Sequence, residues 1–138
     1  REGSVLYLPV FVEGALFGLG DLHASMGDGE IGVSGVEVCG SVTVKLEVVK
    51  NIGIANPIVK TNDITATIAS AITLDEAVTI ATQDMANLIK LHSSMAMEEI
   101  ATLMSAVGNL EISQVVDPEK TARFAMPNEI LERLNIQL

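Results

Sequence analysis

The sequence predicts an α+β fold in which a β-rich, mainly antiparallel sheet is joined by a helix pair and a short C-terminal helix. Three observations support this prediction. Segments in the first half alternate apolar and polar residues, which is the period of a strand with one buried face. Two later segments show the apolar stripe of amphipathic helices. Strands come first and helices follow, an order typical of α+β proteins, and residues 1–138 are expected to form one domain.

Three strands are predicted before the helices. Residues 4–12 are almost entirely apolar and predict a buried strand, in which Pro9 favours an edge position or a bulge. Residues 42–49 predict a half-buried strand of an antiparallel sheet, because apolar and polar side chains alternate from Val42 to Val48. After a turn at Pro57, residues 64–72 alternate Ile and Ala with Thr and Ser, which predicts the third strand.

The helix pair has clear start and stop signals. Thr73 and Glu76 have the spacing of a capping box, and the apolar residues that follow share one helical face. A second helix is predicted over residues 97–107, with Gly108 placed to end it. The remaining predicted elements are a strand over residues 110–116 and a short amphipathic helix over residues 127–134.

Composition excludes several classes of partner. The chain has 18 acidic residues against 8 Lys and Arg, a net charge of −10, so it repels nucleic acid and anionic membrane surfaces. No apolar run reaches the roughly 20 residues that a membrane-spanning helix needs. A single cysteine, Cys39, leaves no pair for an internal disulfide, which fits the reducing cytoplasm. Cys39 lies in an apolar stretch with no histidine close in sequence, so a buried thiol is expected rather than a nucleophile.

Residues 13–30 concentrate ionisable side chains in a glycine-rich stretch. Its ionisable residues are Glu13, Asp21, His23, Asp28 and Glu30. Asp21 and His23 are two residues apart, so on an extended backbone they point the same way and converge on one ion. Imidazole and carboxylate ligands suit zinc or a similar divalent metal. A calcium-binding EF-hand loop beginning at Asp21 is excluded. Such a loop needs Gly at its sixth position and Glu at its twelfth, and this sequence has Met26 and Gly32 there. A solvated acidic loop remains the alternative from the residues alone.

A family resemblance covers nearly the whole chain. Residues 6–17 read Leu-Tyr-Leu-Pro-Val-Phe-Val-Glu-Gly-Ala-Leu-Phe, followed by Gly-Asp-Leu-His-Ala at 20–24 and Gly-Asp-Gly-Glu at 27–30. Together these closely resemble the acetamidase/formamidase family. Supporting matches are Ser-Ala-Val-Gly at 105–108 and Ile-Ser-Gln-Val-Val-Asp-Pro at 112–118. The resemblance implies that the chain is the C-terminal half of a longer, β-rich enzyme.

The resemblance implies that the enzyme hydrolyses small aliphatic amides, such as formamide and acetamide, to ammonia and a carboxylate. We expect the reaction to be assisted by a divalent metal, with zinc as the expected ion and calcium as the alternative. Asp21 and His23 are the candidate ligands, and Glu30 is the candidate general base. Asp28 and Glu13 are further catalytic candidates, as ligand or orienting group.

The alternative is a non-catalytic fragment, or a metal-binding structural half that needs an N-terminal partner. Apolar residues make up 49% of the chain, and it opens on an apolar run without a start Met. We therefore expect the N-terminal half of the same enzyme, or other copies in a homo-oligomer, to cover part of its surface. Lys120 and Arg123 are expected to form surface ion pairs, with a substrate role left open.

Overall fold

The computed structural model describes residues 2–136, so residues 1, 137 and 138 of the predicted domain lie outside the described part. The strands are β1 Val5–Tyr7, β2 Ile58–Lys60, β3 Ile64–Ala71, β4 Asn109–Gln114 and β5 Lys120–Pro127. The helices are α1 Leu74–His92, α2 Met97–Val107 and α3 Asn128–Arg133. All strand pairs are antiparallel, in the order β1-β2-β3-β5-β4. The predicted α+β fold is confirmed.

The centre of the molecule is the pairing of β3 with β5 and the packing of α1 on one face of both strands. The two strands pair over eight residues, from Ile64 opposite Pro127 to Ala71 opposite Lys120. The Thr67 hydroxyl donates a hydrogen bond of 2.7 Å to the α1 carbonyl of Ala81, so the helix lies close to the strand. The largest fully buried apolar side chains are Met85, Ile89, Ile100 and Met126.

The helix signals in the sequence are confirmed. The Thr73 hydroxyl accepts from the amide of Glu76 at 3.2 Å, and the Glu76 carboxylate accepts from the amide of Thr73 at 3.1 Å. Helix α2 ends at Gly108, where a Cβ would lie 2.5 Å from the ring of Phe124, so only glycine fits against that ring. In the described part of the chain, no helix has the length and apolarity that crossing a bilayer requires.

Two of the strand predictions are wrong. Residues 42–49 form no strand and are exposed throughout, because no described segment lies beside them to supply hydrogen-bond partners. The strand predicted over residues 4–12 shrinks to Val5–Tyr7, at the edge of the sheet and largely exposed. Cys39, expected to be buried in an apolar strand, is exposed and lies outside the strands of the sheet.

Strands β2 and β5 are absent from the sequence-based prediction. β2 has only three residues and follows directly after the turn at Pro57. β5 is a central strand whose Ala122 and Ala125, on opposite faces, are both buried. Small residues on both faces hide the alternation that marks a half-buried strand.

Residues 8–57, here termed the long connection, contain isolated β-bridges but no helix or strand. Large apolar side chains along it face solvent: Phe11 and Leu16 are each 80% exposed and Val48 is 89% exposed. Lys45 Nζ and Glu47 Oε1 lie 2.8 Å apart, as side chains two residues apart on an extended backbone do. Around residues 45–47 the chain is therefore locally extended, but no strand pairs with it among the described residues.

Candidate functional site

The ionisable residues of the long connection are organised by a hairpin, termed the site hairpin (residues 20–38). Its stem is an antiparallel bridge between His23 and Glu37, flanked by backbone hydrogen bonds of 2.8 and 3.0 Å. Residues in such a non-hydrogen-bonded pair have Cα atoms about 4.5 Å apart, so their side chains meet on one face. The stem thus brings an imidazole and a carboxylate together across two chain segments.

Three potential metal ligands meet at the stem. His23 Nε2 lies 3.2 Å from Asp21 Oδ1 and 2.7 Å from Glu37 Oε1. One ligand atom from each residue lies within 4.8 Å of the other two. The imidazole is only 14% exposed, whereas the Asp21 and Glu37 side chains are 80% and 55% exposed. The cluster therefore combines a sheltered nitrogen with two carboxylates that are open to an incoming ion.

Neighbouring residues of the hairpin orient this cluster. The Ser34 hydroxyl donates a hydrogen bond of 2.9 Å to Glu37 Oε1, the same oxygen that contacts His23. At Gly35, a Cβ would lie 2.6 Å from Cγ of the His23 ring, closer than real Cβ contacts come. The imidazole therefore packs directly against the Gly35 backbone.

The tip of the hairpin is fastened to the sheet at Asp28 and Gly29. The Gly29 amide donates to the carbonyl of Ser113 and the Val115 amide donates to the carbonyl of Gly29, both at 3.1 Å. Both oxygens of Asp28 accept from one Arg123 nitrogen, Nη2, at 3.0 and 3.2 Å. Residues 28–30 thus lie along the β4 edge, on a surface built by β4 and β5.

The structure brings Asp21 and His23 together and leaves the other three predicted residues outside that cluster. Asp28 is paired with Arg123, so the surface ion pair expected of that arginine is present. Glu30 follows on the tip, and within residues 2–136 no ion pair or hydrogen bond engages its carboxylate. Glu13 lies in an exposed turn. The ligand and base roles assigned to these residues remain predictions.

Sequence reasoning missed Glu37, the third member of the cluster. Its neighbours Val36 and Val38 alternate with it, a short strand-like pattern that could have marked it as a pairing segment. Its partner His23 lies across the hairpin, and such pairing is not local in sequence. The spacing argument for Asp21 also assumed an extended backbone, but Asp21 has φ of 62°, in the left-handed region. Asp21 reaches His23 by a sharp bend.

Comparison with known proteins gives consistent matches. The model of the acetamidase/formamidase family matches residues 1–133. The formamidase of Methylophilus methylotrophus is 32% identical over 153 aligned residues, which cover 95% of this chain and 38% of that protein. The crystal structure of a predicted acetamidase/formamidase from the thermophile Thermoanaerobacter tengcongensis is 61% identical with a TM-score of 0.97, over 99% of this chain and 46% of that one.

The structure of an acetamidase from Bacillus halodurans is 47% identical, with a TM-score of 0.94, over 97% of this chain and 45% of that chain. In all three comparisons the present chain spans less than half the length of the protein that it matches.

Replacing Gly35 by Ala should displace the His23 ring and open the stem, because the new methyl group would occupy the place of the imidazole. We expect amide hydrogen exchange of Ala24 and Val38, which form the flanking hydrogen bonds, to rise by about tenfold or more. Gly32→Ala is the matched control, since its Cβ would meet only the Ser34 carbonyl at an ordinary 3.7 Å. Equal exchange in both variants would contradict the role given to Gly35.

Proposed function

The chain belongs to the acetamidase/formamidase family, and from that premise we propose that it supplies a metal-assisted site for the hydrolysis of small aliphatic amides, such as formamide and acetamide, to ammonia and a carboxylate. The observation that carries this proposal is the meeting of Asp21, His23 and Glu37 at the stem of the site hairpin. These residues lie in the segment whose tip also presents Glu30.

The donor set of the stem suits a small divalent ion. Ligand atoms about 2.0–2.1 Å from a tetrahedral zinc stand roughly 3.3 Å apart. Asp21 Oδ1 is 3.2 Å from His23 Nε2, and Glu37 Oε1, now at 2.7 Å, needs to move outward by a fraction of an ångström. If Asp21, His23 and Glu37 all held the ion, a further position would be left for water, as catalytic zinc sites require. The imidazole favours zinc over calcium, which takes six to eight oxygen ligands.

The chemistry divides between the stem and the tip. When bound, a divalent ion supplies Lewis acidity, which polarises an amide carbonyl and lowers the pKa of water to about 7. Asp21, His23 and Glu37 would hold the ion. Glu30 is the proposed general base: its carboxylate accepts a proton as water adds to the carbonyl carbon, and returns it to the nitrogen as the C–N bond breaks. Its support is the absence of an ion-pair partner among the described residues, in contrast to Asp28.

A second candidate function is a metal-binding structural half without catalysis of its own. The exposure of the Asp21 and Glu37 side chains favours it, because the cluster lies at the surface of the chain rather than in an enclosed pocket. On this proposal amide binding belongs to another segment. Retention of metal by a protein that hydrolyses neither formamide nor acetamide would select this candidate.

The long connection is the proposed contact surface for a partner. The chain exposes 9285 Å² of surface, whereas a folded monomer of 14.6 kDa exposes roughly 6,900 Å² by the usual scaling with mass. Most of the large apolar side chains that face solvent lie on residues 8–57. A typical interface covers about 800 Å² on each partner, so the excess is large enough for a stable contact. We assign this surface to the N-terminal half of the enzyme, in keeping with the greater length of the relatives.

A cytoplasmic location is part of the same proposal. Cys39 is an exposed, unpaired thiol. Such thiols persist in compartments where glutathione and thioredoxin keep cysteines reduced.

Replacing His23 by Ala should remove the bound metal together with the activity, because the sheltered nitrogen ligand is lost. Elemental analysis of the purified protein, beside an acetamide and formamide hydrolysis assay, measures both. His92→Ala is the matched control, since His92 is the exposed last residue of α1, far along the chain from the cluster. Unchanged metal content in His23→Ala would remove His23 from the ligand set.

Replacing Glu30 by Gln should preserve the fold and the metal while lowering kcat by roughly 100-fold to 10,000-fold, the usual contribution of general acid–base catalysis. The change keeps the shape of the side chain and removes its basic carboxylate. Glu98→Gln, on the exposed face of α2, is the control for loss of one negative charge. Turnover within a few fold of the parent would assign the base to another residue.

The 138-residue chain alone should self-associate or aggregate, and should form a defined complex when the N-terminal half is supplied, because its excess apolar surface is then covered. Sedimentation velocity of the chain with and without that half, each with an amide hydrolysis assay, measures this. A stable monomer with full activity would contradict both the interface and the need for a partner. A defined homo-oligomer with full activity would assign the surface to further copies of this chain.

A further inference from the structure

Arg123 has no role in the reaction proposed above. It lies in β5 directly opposite Glu111 of β4. Because side chains alternate along a strand, it points away from the face that carries Phe124 and the helices. Its Nε donates to the carboxylate of Glu111, which anchors one side of the guanidinium to the sheet. The side chain is 30% exposed, and its Nη2 is left to contact a second carboxylate.

The outward nitrogen Nη2 holds Asp28, 95 residues away in the sequence. Both Asp28 oxygens lie within 3.2 Å of it. An ion pair this exposed adds little to stability. Its effect is positional, because it joins the tip of the site hairpin to a side chain that Glu111 already holds in place.

Glu30 follows Asp28 and Gly29, the two residues that are held against the sheet, and its backbone conformation is unfavourable for a residue other than glycine. Its φ is 46°, in the left-handed region that non-glycine residues avoid. Its amide donates to the carbonyl of Gly27 at 3.2 Å, and its carbonyl accepts from Val33 at 2.9 Å. Such a conformation persists only where the surroundings determine it from several sides. Here the surroundings are the Asp28 ion pair and the two Gly29 hydrogen bonds on the preceding residues.

We propose that Arg123 is a positioning residue for the general base Glu30, acting through Asp28 and the tip of the site hairpin. The inference rests on the proposed amide hydrolysis with Glu30 as base. Arg123 orients the tip, the tip sets the direction of the Glu30 side chain, and Arg123 itself touches neither substrate nor ion. Asp28, a catalytic candidate from the sequence, serves as the orienting link.

The test uses the active protein that contains this chain, with the variants Arg123→Met, Arg123→Lys, Asp28→Asn and the double variant Arg123→Met/Asp28→Asn. Arg133→Met is the matched control, because Arg133 also pairs with a carboxylate, that of Glu129 on the exposed face of α3. The readouts are kcat, KM, metal content and the hydrogen exchange of the Gly29 and Val115 amides.

We expect Arg123→Met and Asp28→Asn each to lower kcat by about tenfold or more, with KM and metal content nearly unchanged, since orientation of a base acts on the transition state. The double variant should lose no more than either single variant, because both break one linkage. Arg123→Lys should recover part of kcat, and exchange at Gly29 and Val115 should quicken in Arg123→Met. Arg133→Met should resemble the parent.

A raised KM with unchanged kcat in Arg123→Met would overturn the proposal and make Arg123 a substrate contact. Additive losses in the double variant, or unchanged exchange at Gly29 and Val115, would also overturn it. If Arg123→Met does not fold, Asp28→Asn carries the test alone, since Asp28 is in an exposed loop. A parent protein that hydrolyses no amide would instead overturn the proposed function, which is a different result from an active parent whose Arg123 variants are unaffected.

Discussion

The contact of α1 with strands β3 and β5 is made by side chains small enough to let a helix lie close to a sheet. Ala77 and Ala81 of the helix are fully buried, and Ala69 and Ala122, which pair opposite each other in β3 and β5, are buried as well. The hydroxyl of Thr67 bridges the two layers. An added methylene group at such a contact typically costs about 1–3 kcal/mol, because the layers must separate. The other strands pair outward from these two, so the plane of the whole sheet depends on this close approach.

The reverse face of the same strands carries a different kind of chemistry. Arg123 is polar and accessible there, and it meets a loop that comes from the distant first part of the chain. The tip of the site hairpin is thereby tied to a rigid platform. The stem has no such tie in the described residues and depends on its own hydrogen bonds, with Ser34 and Gly35 beside the cluster. On the proposed function, the general base thus lies on the rigid part of the hairpin, and the residues proposed to hold the ion lie on the part that can adjust.

The sequence was most informative where the determining interactions are local. Helix α1 was predictable because Thr73 and Glu76 satisfy each other's backbone amides within one turn. The strand prediction for residues 42–49 was wrong, because alternation indicates a preference for strand structure but does not provide a neighbouring strand to pair with. β5 was missed because alanines on both faces erase the pattern of burial. The pairing of His23 with Glu37, and of Asp28 with Arg123, joins distant segments, and no periodicity in a single sequence records such contacts.

Residues 42–49 also bear on how the chain can be made. Five of the eight are Val or Thr, no proline interrupts them, and the charges of Lys45 and Glu47 cancel. Short segments of this composition, exposed and without a strand beside them, are templates on which identical chains stack into fibrils. While the segment is exposed, its burial against another part of the protein must therefore be faster than the meeting of two copies. The order and speed of assembly, rather than the stability of the final fold, then limit how much usable protein is obtained.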